Sequence, residues 1–259
     1  MPTTHNNNVD LYYEVHGLTD PSAPTILFAH GAGGNAASWW QQIPEFSEDH
    51  RIVAFDHRGF GRSKCTPEDF HVRNFEHDAR AVLDAAGVEQ AIVVGQSMGG
   101  WTGLRLAARY PDRVRALVLS NTPGAVQHPA LTEAMANTAR SLRGDSFLGT
   151  AISQEFAKRN PRGAYLYSQI AAFSSPRPDL RSLTSSEGAV SAEDVLALRN
   201  KRIHMICSDM DALFPADVLQ IVADKLNATI EVVVGAGHST YFEMPDEYNK
   251  RLRAFIASL

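Results

Sequence analysis

Cysteine is scarce: Cys65 and Cys207 are the only two in 259 residues. They stand far apart with none of the short spacings of a structural zinc site, so a metal-stapled or disulfide-stapled scaffold is excluded. Both are expected to be free thiols in a reducing compartment. Cys207 ends an apolar run, where a thiol serves packing rather than attack. Long hydrophobic stretches are missing too, and no run approaches the length of a membrane span. Residues 1–10 are polar and rich in asparagine, without the charged and apolar regions of a signal peptide. A cytoplasmic protein with no membrane partner is the expectation. There is also no basic stripe: charges of both signs are interspersed and the net charge is −5, which argues against nucleic acid as a partner. What is present is ordinary for a folded domain, 44% apolar and 20% charged. The length suffices for one large α/β domain with a substantial core.

The hydrophobic pattern alternates between strands and helices. Strand character falls on residues 9–15, 25–29, 51–55, 91–94, 114–119, 202–207 and 230–234. Several of these are continuous apolar runs, as expected of strands covered on both faces. Helical spacing falls between them: from Trp39 and Trp40 to about Ser47, over 70–86 with Gly87 as the stop, over 101–110, and over 241–258. This alternation implies a mostly parallel sheet flanked by helices, whose ligands collect at the carboxyl ends of the strands. From Thr122 to about Arg199 the rhythm disappears. Leu131, Met135, Thr138 and Leu142 repeat at helical spacing, as do Phe147, Ala151 and Ile152 with Phe156, and Leu166, Ile170 and Phe173. Ser191 can cap a last helix carrying Val195 and Leu198. Residues 1–121 and 200–259 are therefore expected to form the core domain, with 122–199 a helical lid over the open top of the sheet. Most of the aromatics Phe147, Phe156, Tyr165, Tyr167 and Phe173 are expected to fill the lid's own interior.

Chemistry concentrates where strands end. The run Gly95-Gln96-Ser97-Met98-Gly99-Gly100 turns from a strand into a helix over a serine. Such a turn holds the serine in a strained conformation with its hydroxyl outward, and the small flanking residues give it room. The helix opens at the serine, so its unpaired N–H groups face any anion formed there. A second glycine loop, His30-Gly31-Ala32-Gly33-Gly34, follows strand 25–29. His30 reads as a residue that fastens this loop, and Asp56, His57 and the rest of loop 56–63 as a structural brace. His71 and His77 do not share a helical face, so no metal site is expected there. Late in the chain, Asp209 and Asp211 follow a strand and precede Pro215, and Gly237-His238-Ser239 follows the last strand.

On those residues the chain resembles the α/β-hydrolase superfamily over essentially its whole length. Serine first, then an acid beyond the lid, then histidine is the order that this fold uses. The resemblance implies Ser97 as nucleophile, His238 as its base and Asp211 as the acid that orients the imidazole. Asp209, two residues earlier, is the rival acid. It further implies an oxyanion hole from the amides of Ala32 and Met98, with no metal and no organic cofactor. The compact lid and the Ser120-Asn121-Thr122 step look similar to the esterase, lactonase and 3-oxoadipate enol-lactonase group. Expected function is hydrolysis of a small carboxylic ester or lactone through an acyl-enzyme. Carbon–carbon bond hydrolases share Ser-Met-Gly-Gly but typically carry tryptophan after the histidine, where this chain has Ser239. Together with lyases, perhydrolases and non-catalytic receptors on the same fold, they are the alternatives. The sequence does not disclose the physiological substrate or the oligomeric state.

Overall fold

The computed structural model describes residues 2–141, 151–174 and 178–259. The apolar runs form β2 (Val9–Gly17), β3 (Thr25–Ala29), β4 (Arg51–Phe55), β5 (Ala91–Gln96), β6 (Val114–Ser120), β7 (Arg202–Ser208) and β8 (Thr229–Val233). With β1 (Thr3–Asn6) they make an eight-stranded sheet in the order β1-β2-β4-β3-β5-β6-β7-β8. β2 runs antiparallel to both of its neighbours, and the remaining pairs are parallel.

β1 is not marked in the hydrophobic pattern. It is an edge strand with no fully buried residue, so nothing selects apolar side chains for it. Its signal is the turn that follows, where Asn7 and Asn8 take φ 43° and 65°. Asparagine tolerates this left-handed region, and two such residues suit the right-handed twist of a tight hairpin.

Helices cover both faces, and the register of the strands assigns side chains between them. Ile26 and Phe28 of β3 pack with Ile52, Ile92, Val94 and Val118 on one face. Leu27 and Ala29 pack with Val53, Val93, Leu117 and Met205 on the other. Neither face is left to solvent, which is why these strands read as unbroken apolar runs. The helices outside the insertion are α1 (Gln42–Phe46), α2 (Phe75–Ala85), α3 (Met98–Arg109), α9 (Ala216–Leu226), α10 (Thr240–Glu243) and α11 (Pro245–Ala257). Three boundaries differ from the periodicity. The helix expected from Trp39 splits into a 3-10 turn, Ala36–Trp39, and α1, because Asn35 and Ser38 cap each other's backbone at the turn. Trp39 is fully buried, whereas Trp40 is 46% exposed. α2 starts later than expected, after a 3-10 turn at Val72–Asn74. The closing helix is two helices, since Met244 precedes Pro245 and leaves the helical region.

Between β6 and β7 the described residues form α4 (Pro129–Ser141), α5 (Gln154–Arg159), α6 (Pro161–Phe173), α7 (Arg181–Thr184) and α8 (Ala192–Leu198). Ser153 caps α5, and Ser191 caps α8 in a reciprocal pair with Asp194. Leu131, Leu183 and Leu198 join one core cluster and Phe156 the other, so these helices bury their apolar sides against the sheet domain. Tyr165 and Phe173 depart from expectation: they are 67% and 55% exposed and fill no interior. Leu142 and Phe147 lie outside the described residues. Among the described residues no helix is long and apolar enough to cross a membrane.

Candidate active site

β5 delivers Ser97 to the carboxyl edge of the sheet, where the chain must reverse at once into α3. Ser97 sits at φ 50°, ψ −118°, outside the regions comfortable for a side-chain-bearing residue and costing roughly 1–3 kcal/mol. Two glycines permit the turn. A Cβ on Gly95 would lie 2.3 Å from the carbonyl oxygen of Gly99, and one on Gly99 would lie 2.0 Å from that of Ala29. Three bonds hold the strained residue: its N–H donates to Ser120 O at 3.0 Å, and its carbonyl accepts from Gly100 N at 2.8 Å and Thr122 Oγ1 at 2.7 Å. The Met98 amide opens α3 and has no partner among the described residues.

The loop after β3 is held from behind. His30 Nε2 accepts the His57 N–H at 2.9 Å, which leaves the proton on Nδ1 to donate to Gly31 O at 2.7 Å. Burial holds both imidazoles below the ordinary histidine range, His57 well below it, so they stay neutral. Asp56 accepts from Ala36 N at 2.7 Å and Arg62 N at 2.8 Å. His30, Asp56 and His57 are thus braces. The Ala32 amide, like that of Met98, donates to no partner among the described residues.

Asp211 lies in the loop beyond β7 and is buried. Its Oδ1 accepts from Leu213 N at 2.8 Å and Phe214 N at 3.0 Å, and its Oδ2 from Asn121 Nδ2 at 3.0 Å. His238 Nδ1 faces both carboxylate oxygens, at 3.1 and 3.0 Å, and is therefore the protonated nitrogen. Asp209 is exposed and accepts from Gly235 N at 2.7 Å instead. Of the two acids, the one that meets the histidine is Asp211. His238 Nε2 is buried and has no hydrogen-bond partner among the described residues, so the bond to Ser97 that the sequence reading expects is not made in this structure. Ser97 and the histidine loop are nonetheless linked through the adjacent residue, since Gln96 Nε2 donates to His238 O at 3.2 Å.

The residues flanking His238 are gripped by the helical insertion. Gly237 N donates to Glu243 Oε2 at 3.1 Å, and the same carboxylate accepts from Ser153 N at 2.9 Å and Ser153 Oγ at 2.6 Å. On the other side Ser239 Oγ and Tyr167 OH are 2.9 Å apart. Sequence reasoning missed Gln96, Asn121, Glu243 and the Tyr167 contact. Asn121 carried one faint signal, its place directly after a strand. Ser153 and Glu243 are 90 residues apart and carried none. A cleft of about 440 Å³ opens between α3, the loop after β6 and the insertion, lined by Trp101, Ala125, Val126, Leu131 and Leu183. Trp101 stands one turn along α3 from Ser97.

Fold and site together define a hydrolase class. The sequence profile of the alpha/beta hydrolase fold family matches residues 24–245, and the chain belongs to that family. The chain is 30% identical over 263 residues to a protein of Caulobacter segnis named "Putative carbamate hydrolase RutD", covering 94% of this chain and 95% of that one. A protein of the same name from Azorhizobium caulinodans is 41% identical over 121 residues, a match spanning 47% of this chain and 44% of the relative. Among solved structures, the enol-lactonase of Burkholderia xenovorans LB400 superimposes with a TM-score of 0.79 at 22% identity, over 99% of this chain and 100% of its own. At that identity the likeness is one of fold.

Proposed function

We propose that this chain is a serine hydrolase that cleaves a small carboxylic ester or lactone through an acyl-enzyme on Ser97. The observation that carries the reading is the buried pairing of Asp211 with His238 Nδ1 at 3.0 Å, which leaves Nε2 unpartnered. A serine hydroxyl is a weak nucleophile at neutral pH. In this reading His238 Nε2 takes its proton as Oγ attacks the substrate carbonyl, and Asp211 offsets the imidazolium charge. The Ala32 and Met98 amides donate to the tetrahedral oxyanion, each such donor being worth roughly 3 kcal/mol. The imidazolium then gives its proton to the departing alkoxide. Water, deprotonated by the same nitrogen, releases the acid and restores Ser97. The insertion, residues 122–199, acts as the lid of the site, and the cleft beside Trp101 receives one arm of the substrate.

A second reading, hydrolysis of a carbamate, is favoured by the name of the relative from Caulobacter segnis, which matches the chain almost end to end. The same nucleophile, base and oxyanion donors serve either carbonyl. Both readings are tested by one panel: p-nitrophenyl acetate, butyrate and octanoate beside an alkyl carbamate. Ser97→Ala and Asp211→Asn are expected to lower kcat by about 10³-fold or more, while Asp209→Asn stays within twofold of wild type. The preferred carbonyl then separates the two readings. A folded wild type that turns over none of the four substrates would refute both.

A further inference from the structure

Asp211 keeps its place through donors of two kinds. Leu213 N and Phe214 N, at 2.8 and 3.0 Å, belong to its own loop and travel with it. Asn121 Nδ2, at 3.0 Å from Oδ2, comes from the end of β6, 90 residues away. This donor therefore refers the carboxylate to the sheet itself. Asn121 is fully buried, and its own N–H extends the sheet by donating to Ile206 O at 2.9 Å. Its φ of 48° is left-handed, a conformation that persists in a side-chain-bearing residue when surrounding bonds hold it. Those bonds are present. Thr240 Oγ1 donates to Asn121 Oδ1 at 2.8 Å, and Nδ2 also donates to Ser208 Oγ at 2.9 Å. A flipped amide would set its oxygen against the Asp211 carboxylate, so the orientation is fixed. Ser208 Oγ donates in turn to Gly237 O at 2.7 Å, the Thr240 hydroxyl, whose single proton goes to Asn121 Oδ1, lies 3.1 Å from the same carbonyl, and Gly237 precedes His238. One amide thus connects the acid on one side with the histidine loop on the other.

We propose that Asn121 is a positioning residue for the reaction: its side chain registers the Asp211 carboxylate and the His238 loop against the end of β6, so that Nδ1 is met by an oriented anion. The proposal rests on the roles given above to Ser97, Asp211 and His238. A buried carboxylate that loses a non-local donor gains freedom to rotate away from the imidazole and is less stable as an anion. The loss falls on the transition state, where the imidazolium forms, rather than on substrate binding. Among the described residues the ionisable groups facing this network are Asp211, His238 and Glu243, whose carboxylate accepts the Gly237 N–H. The neighbouring Cys207 thiol is pushed up to about 12 by burial and by Asp211, and stays protonated.

The test uses p-nitrophenyl acetate with wild type, Asn121→Gly, Asp211→Asn and the double variant, with thermal melting to verify folding. Glycine suits the left-handed backbone and removes the whole side chain, its amide donors and acceptor included. We expect Asn121→Gly to lower kcat at least tenfold with KM within twofold, and to change kcat less than twofold in the Asp211→Asn background. Losses that multiply in the double variant would mean that Asn121 acts independently of Asp211, and would overturn the proposal. Asn121→Asp serves as a second variant of the same shape, because its carboxyl donates to Asp211 only while protonated. Its kcat relative to wild type is expected to be down at least tenfold at pH 9, with partial recovery at pH 6. A ratio within twofold of one at both pH values overturns the proposal. If Ser97→Ala and Asp211→Asn themselves keep wild-type activity, the underlying assignment of roles fails instead.

Discussion

At the scale of single residues, burial rather than residue type decides the chemistry. Serine is a mild hydroxyl elsewhere in this chain, yet at Ser97 it occupies a strained turn between two glycine contacts that no other residue could satisfy. His30 and His57 are neutral posts because burial disfavours their charged forms, whereas His238 faces a carboxylate. Cys207 shows the same principle for a thiol. Burial, assisted by the Asp211 charge, pushes it up to about 12, so at pH 8 its reactive thiolate amounts to roughly one molecule in 10⁴. Cys65 is half-buried, and burial raises it as well. Brief alkylation of the native protein with iodoacetamide at pH 8 is therefore expected to mark Cys65 first, with Cys207 labelled only after denaturation. Peptide mass spectrometry that found both thiols modified at equal rates would contradict this account of Cys207.

At the scale of elements, the helical insertion and the histidine loop are held as one unit through Glu243 at the end of α10. Three donors converge on this carboxylate, but burial outweighs them and raises it above the ordinary glutamate value of 4.5. Its linkage to stability is therefore opposite in sign to that of a surface ion-paired acid. Its contribution is fully present below 4.5, the value in the unfolded chain, and is lost as pH rises through the higher folded value. Glu243→Gln removes that titration. The melting temperature of wild type is expected to fall relative to Glu243→Gln as pH rises from about 4 towards 7. A difference that stays constant, or grows in favour of wild type, would show that Glu243 ionises at least as readily in the fold as outside it.

For the molecule as a whole, the N-terminal hairpin is secured by a charged pair beneath the surface. Arg58 and Asp78 are both fully buried, with Nε and Oδ2 at 2.6 Å and Nη2 and Oδ1 at 2.6 Å. Asn6 of β1 donates to the same carboxylate at 2.7 Å, while its carbonyl accepts from Arg58 at 3.3 Å. One cluster thus joins β1, the loop after β4 and α2. Removing one partner leaves the other charge buried without compensation, at a cost of about 3–5 kcal/mol. Asp78→Asn is expected to lose about that much stability in urea denaturation while the proposed hydrolase activity at low temperature stays near wild type, since Asp78 makes no contact with Ser97, Asp211 or His238. A loss below about 1 kcal/mol would show that the pair is dispensable to the fold.

How much of this was legible beforehand depended on the range of the forces involved. The inner strands β3 to β7 were read from apolar runs because both sheet faces are covered there. The polar edge strand β1 escaped the pattern because burial asks little of it. Ser97, Asp211 and His238 were nominated by small local motifs in a fixed order at strand ends. Asp211 was already favoured over Asp209 by its place in the resembling motif; in the structure Asp211 meets the imidazole, while Asp209 accepts from Gly235 N. The contacts of Asn121, Glu243 and Tyr167 could not be read because their partners are distant in the chain and nothing local requires asparagine, glutamate or tyrosine at those positions. By itself, then, the sequence determined the periodic elements, their order and the turn chemistry around the serine, all set by neighbours within a few residues. Tertiary structure alone decided how the insertion grips the histidine loop and which charges are buried, because each depends on desolvation and hydrogen bonds that exist only once remote segments meet.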